Sequence, residues 1–173
     1  MTTANKLTMM RMALIPVFLV VLYWGFPGSR YWALGIYAVA CLTDFVDGYI
    51  ARHYNQVTDF GKFMDPLADK MLVMAALCWF VECGGMAGWV LAVVLFREFA
   101  VSGMRMVAVE QGRVIAAAWS GKIKTFSTMV CICLMLLGIP QWLNLTCQAV
   151  ILVTTVYSGT EYFVKNRDVI KSA

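Results

Sequence analysis

The sequence predicts an all-α integral membrane protein, with six transmembrane helices behind an N-terminal amphipathic interfacial helix and both termini cytoplasmic. Three observations lead there. Of 173 residues, 61% are hydrophobic and 14% charged, whereas a soluble domain is nearer half apolar and a quarter charged. Apolar stretches recur six times, each close to the ~20 residues that a spanning helix needs. Lysine and arginine gather at alternate breaks between those stretches, as cytoplasmic loops do.

The elements follow in order. In TANKLTMMRMALIPVF, Leu7, Met10 and Arg11 keep helical spacing ahead of the first apolar stretch. This predicts a helix lying in the interface over 1–11, with Pro16 marking its bend into the bilayer. The apolar stretches run near 12–27, 31–52, 61–82, 87–110, 117–138 and 142–163. Breaks fall at PGS, YNQVTD, CGG, EQGR and GIPQ, all turn formers or polar residues. One domain over 1–173 is expected, made of the interfacial helix, a six-helix bundle over 12–163 and a cytoplasmic tail over 164–173.

Of the 14 Lys and Arg residues, Arg30 would face outward and the rest inward. Trp24, Trp32, Trp79, Trp89 and Trp142 sit near the opposite ends, as an outer aromatic belt would. Net charge is +4, but the bases form no run. That spread fits topology and anionic headgroups and gives no support to nucleic-acid binding. The six cysteines contain no CxxC pair and read as small buried hydrophobes. The bulky YWGFPGSRYW offers no small-residue cleavage site, so the first segment is expected to be retained. A bacterial inner membrane, with the site facing the cytoplasm, is the expected location.

The chemistry concentrates in DFVDGYIARHYNQVTDFGKFMDPLAD, residues 44–69. At ~100° per residue, Asp44, Asp47, Gly48 and Ala51 share one helix face. Gly61, Asp65 and Asp69, spaced by four, share a face of the next helix. Antiparallel packing would bring four carboxylates together. Ionised acids away from water are costly and like charges repel, so positive charge must sit among them. Lys62, Lys70 and Arg52 could supply some of it. All-oxygen ligands without Cys or His suit Mg²⁺ or Mn²⁺ better. Two such ions about 4 Å apart suit phosphoryl transfer. Gly48, Ala51 and Gly61 remove bulk on the same faces, so a base or phosphate could approach. Helix capping or local pairing explains one aspartate at a membrane edge more readily than four on matched faces.

The segment fits D-x2-D-G-x2-A-R-x8-G-x3-D-x3-D at Asp44, Asp47, Gly48, Ala51, Arg52, Gly61, Asp65 and Asp69. It resembles the signature of the CDP-alcohol phosphatidyltransferases. Eight residues at fixed spacing arise by chance on the order of 10⁻¹⁰ per start position, taking ~5% per residue. The resemblance implies a six-helix membrane fold, usually dimeric, and two divalent metal ions. It implies that Asp44, Asp47 and Asp65 bind the metals, and that Asp69 joins the second metal and acts as general base. It further implies that Gly48, Arg52 and Thr58 contact the CDP-diacylglycerol headgroup. Asn5, Thr8 and Arg11 resemble the family's PN-x2-T-x2-R start, with Ala4 in place of the proline. Asn5 and Thr8 are expected near the nucleotide, though either could equally cap a helix.

The acceptor is read from residues 97–125. Arg105, Arg113, Lys122 and Lys124 suit an anionic substrate through its phosphate oxygens. The positive-inside rule explains any one of them equally well. Arg97 and Glu98 read as an internal pair. Arg97-Glu98, Arg105, Glu110-x-Gly112 and Ser120-Gly121-Lys122-x-Lys124-Thr125 resemble one branch of the family, the phosphatidylglycerophosphate synthases. That branch implies sn-glycerol 3-phosphate as acceptor. Inositol phosphate, or phosphatidylglycerol as in a cardiolipin synthase, would keep the chemistry and change the acceptor. A cation transporter, with acids that bind the ion in transit, is the rival from another class.

Overall fold

A computed structural model describes residues 3–53, 59–112, 115 and 118–168, with side chains described over 9–43, 67–68, 70–112, 115 and 118–168. Six helices appear in chain order: α1 (Thr3–Trp24), α2 (Ser29–His53), α3 (Asp59–Glu82), α4 (Gly88–Glu110), α5 (Trp119–Leu136) and α6 (Gln141–Lys165). No strand occurs among the described residues. The chain divides into two compact units, one of residues 1–82 and 132–139, the other of 83–131 and 140–173.

Three expectations are corrected. No separate interfacial helix precedes the first apolar segment, because α1 runs unbroken from Thr3 through Pro16. Proline removes one backbone hydrogen bond, but Arg11, Ile15, Phe18 and Leu22 are buried at four- and three-residue spacing on both sides of it. Packing of that stripe keeps the helix continuous. Next, no helix among the described residues is long and apolar enough to cross a membrane. The physical reasons differ by helix. Arg97, Glu98 and Arg105 interrupt α4, Lys122 and Lys124 charge the start of α5, and Asn144, Gln148, Thr154, Thr155, Ser158 and Glu161 dilute α6. Finally, without spans the assignment of both termini to one membrane side loses its basis.

In the first unit, α1 packs against α2 and α3, and α2 touches α3. The α1–α2 turn uses Gly25 and Gly28 at φ +66° and +88°, a region costly to residues with a Cβ. Ser29 N–H then donates to the Phe26 carbonyl at 2.9 Å and starts α2. Ala33, Tyr37 and Ala40 carry the buried face of α2. The Tyr37 ring lies 5.9 Å from that of Phe18. Helix α3 contributes Ala68, Leu72, Ala76, Leu77 and Phe80. At its end Tyr23 donates to Glu82, and Arg30 stacks over Trp79 at 5.4 Å. These contacts tie the three helices at the turn end.

In the second unit, α4 packs on α6. Val101, Met104 and Ala108 meet Tyr162 in a small apolar cluster. The α4 N-terminus lacks a side-chain cap at Ala87. Its amide is instead satisfied from α6, where Gln148 Oε1 accepts from Ala87 N–H at 3.2 Å. Asn144 and Gln148 both donate to the Gly85 carbonyl, at 2.7 and 3.0 Å. Cys131 and Cys147 are buried here, as expected of small hydrophobes, while Cys78 and Cys83 are exposed. Trp89, Phe96, Phe99, Met106 and Val109 leave an exposed apolar stripe along α4.

Candidate active site

The acid motif occupies the end of α2 and the start of α3 in the first unit. Asp44, Asp47, Gly48, Ala51 and Arg52 are helical positions in the last turns of α2, and Gly61, Asp65 and Asp69 in the first turns of α3. The side chains of these eight residues, and those of Asn5 and Thr8 on α1, lie outside the described residues. Thr58 and Arg113 lie outside them altogether. The backbone therefore gives the register: both acid sets are helical, at the expected i, i+3 and i, i+4 spacing, on helices that pack together.

Register also brings in a residue that the sequence reading set aside. Arg11 is the largest fully buried side chain of the chain's described residues, 1% exposed. At 1.5 Å per residue it stands about 20 Å along α1 from the Gly25–Gly28 turn. Asp44 stands about 22 Å along α2 from the same turn. A buried guanidinium thus sits at the level where the acid motif begins. The signal was present in the Asn5, Thr8, Arg11 pattern, but an arginine beside methionines also reads as an interfacial cation.

The donor chemistry of the motif fits a divalent ion. Four carboxylates without Cys or His make a hard, all-oxygen set. Among the described residues, no group of three or more His, Cys, Asp or Glu could hold a metal.

The second unit holds the bases assigned to the acceptor, and they differ in environment. Arg105 is exposed, donates from Nε to Tyr162 Oη at 3.3 Å, and lies 5.6 Å over the same ring. Lys122 is exposed, with Nζ 5.1 Å from the Trp119 ring centroid. Both are cations braced by an aromatic face and open to solvent. Lys124 is buried and donates to Glu98 Oε1 at 2.5 Å. Arg97 Nη1 reaches the same oxygen at 2.9 Å. The expected Arg97–Glu98 pair is present, and Lys124 joins it from 26 residues away.

Comparison with known proteins adds the following. A model of the CDP-alcohol phosphatidyltransferase family matches residues 1–158. A CDP-diacylglycerol–glycerol-3-phosphate 3-phosphatidyltransferase of Bacillus subtilis (strain 168) is 39% identical, covering 98% of this chain and 97% of its own. A probable phosphatidylglycerophosphate synthase of Mycobacterium tuberculosis is 39% identical, covering 92% of this chain and 78% of its own. A CDP-diacylglycerol–glycerol-3-phosphate 3-phosphatidyltransferase of Rickettsia bellii is 34% identical over 92% of both chains. Enzymes of this family generally depend on divalent metal ions. With the acid motif on two packed helices and a family match across nearly its whole length, this chain belongs to the CDP-alcohol phosphatidyltransferases.

Proposed function

We propose that this enzyme transfers the phosphatidyl group of CDP-diacylglycerol to sn-glycerol 3-phosphate, giving phosphatidylglycerophosphate and CMP. The observation that carries the reading is the eight-residue acid motif, its positions divided between the ends of α2 and α3. The names of the bacterial relatives support this acceptor.

Asp44, Asp47, Asp65 and Asp69 would hold two divalent ions, Mg²⁺ or Mn²⁺. Such ions would neutralise the pyrophosphate and the charge that builds on the departing CMP. Asp69 takes the proton from the C1 hydroxyl of glycerol 3-phosphate. That oxygen bonds to the lipid-proximal phosphorus as the bond from phosphorus to the CMP oxygen breaks. Gly48, Ala51 and Gly61 leave room for the headgroup, Arg52 forks onto phosphate, and Thr58 donates a hydroxyl. Asn5 and Thr8 border the nucleotide. Arg105, Arg113, Lys122 and Lys124 attract the anionic acceptor.

The enzyme acts as a homodimer at the plasma membrane of a bacterial cell, with its site on the cytoplasmic side. The lipid substrate and the exposed apolar stripe on α4 support work against a lipid surface.

The test is turnover of CDP-diacylglycerol by the purified protein with each alcohol in turn. CMP release with glycerol 3-phosphate, and little with inositol phosphate or phosphatidylglycerol, is expected. Equal or greater release with another acceptor would move the assignment to that acceptor.

A further inference from the structure

Arg11 is a buried cation on a helix that carries no anion. Its side chain is fully buried, and α1 contains no Asp or Glu. A guanidinium held away from water is costly without a counter-ion. Another segment must bring the negative charge. Read from the N-terminus, the first acidic residue of the chain is Asp44.

The register of α1 against α2 shows where that charge stands. Leu22, Phe18, Ile15 and Arg11 are buried on α1, in steps of four, three and four residues away from the turn. Ala33, Tyr37 and Ala40 are buried on α2, in steps of four and three away from the same turn. The next step of four reaches Asp44. The Phe18 and Tyr37 rings, 5.9 Å apart, pin the two series to each other. Arg11 and Asp44 each lie seven residues beyond that contact, which is about 10.5 Å and about two helical turns. The two positions therefore share a level, and each continues the stripe of its own helix. Helix α3 carries Asp69 at about the same level, counted from the contact between Tyr23 and Glu82 at the turn end. The pinned stripe favours Asp44.

We propose that Arg11 pairs with Asp44 and is a positioning residue for the acid motif. This rests on the proposed function in one respect, the reading of Asp44 as a ligand of a divalent ion. A guanidinium fork matches a carboxylate through two parallel N–H donors and stays charged throughout. A carboxylate offers about four lone-pair sites, so the pair leaves acceptors on Asp44 for the ion. The fixed cation also offsets repulsion among the four acids before any ion arrives. Asp44 is then oriented in advance, as partners of metal ligands commonly ensure.

The experiment uses the full-length protein. Without metal, Arg11→Gln should lower the Tm by about 8 °C, since it leaves one side of a buried pair. In an Asp44→Asn background the same change should cost no more than about 3 °C, and in an Asp69→Asn background the full amount. Arg11→Lys keeps the charge, protects folding and loses the fork. Its Kd for Mn²⁺, read from free Mn²⁺ by electron paramagnetic resonance, should rise about tenfold. A role confined to packing would leave that Kd alone. In the Asp44→Asn background Arg11→Lys should not raise it further. An unchanged Kd in Arg11→Lys, a full Tm loss in the Asp44→Asn background, or a loss cancelled by Asp69→Asn instead would overturn the proposal. Wild-type Mn²⁺ affinity in Asp44→Asn itself would remove Asp44 from the metal site of the proposed function, and the Tm cycle would still decide the pair.

Discussion

Replacing Lys124 by methionine gives a sharp test of the buried charge cluster. Lys124 places its ammonium 2.5 Å from Glu98 Oε1, with 6% of its side chain exposed. Methionine keeps the length of the stem and removes the charge. Breaking a buried pair from one side costs about 3–5 kcal/mol, because the other charge stays buried. Here Arg97 still reaches the same oxygen at 2.9 Å, so the low end, about 3 kcal/mol, applies. At ~2.1 cal/mol/K per residue, the unfolding entropy of the chain is about 0.36 kcal/mol/K, and the expected fall in Tm is ~8 °C. Thermal scans by circular dichroism would measure it. Glu98→Gln should also destabilise, since it leaves two cations facing each other. The double variant should lose less than the sum of the singles by about 2 kcal/mol, as for groups in direct contact. A Tm for Lys124→Met within about 2 °C of the wild type, or strict additivity in the cycle, would refute the argument.

Four further outcomes are expected. Asp69→Asn should lower CMP release by at least about 10²-fold while CDP-diacylglycerol still binds, and near-normal release would remove Asp69 as the base. A chelator should abolish turnover, and Mg²⁺ or Mn²⁺ should restore it; activity that survives metal stripping would contradict the metal assignment. Phe18→Ala, which empties a fully buried site beside Tyr37, should cost about 3–5 kcal/mol in denaturant unfolding. Gly28→Ala should cost about 1–2 kcal/mol from its positive φ, since a Cβ there meets nothing within 4 Å and adds no clash.

Much of this protein is legible along the chain. Turn formers such as Gly25, Gly28 and Gly138 mark helix ends, because positive φ favours glycine over any residue with a Cβ. The five later helices accordingly begin and end close to the apolar stretches read from the sequence. The acid motif is legible for another reason: i, i+3 and i, i+4 spacing depends only on helical pitch, so a local pattern fixes the shared face. The start of α1 is different. Whether Pro16 ends a helix or sits inside one depends on the buried stripe of Ile15, Phe18 and Leu22, and that burial needs α2 and α3 as partners.

Hydropathy also has a limit that tertiary structure exposes. An apolar stretch raises the mean wherever it packs, while single charges inside α4 and at the start of α5 decide whether a helix can cross a bilayer. The sequence by itself determined six helices, their turns, the acid motif and the family chemistry that it implies, all of which rest on neighbours a few residues apart. Only the tertiary structure decided that Arg11 is buried at the level of Asp44, and that Lys124 meets Glu98 across 26 residues. A buried charge needs a partner, and where a distant segment brings it, as α5 brings Lys124 to Glu98, no local pattern records which segment that is.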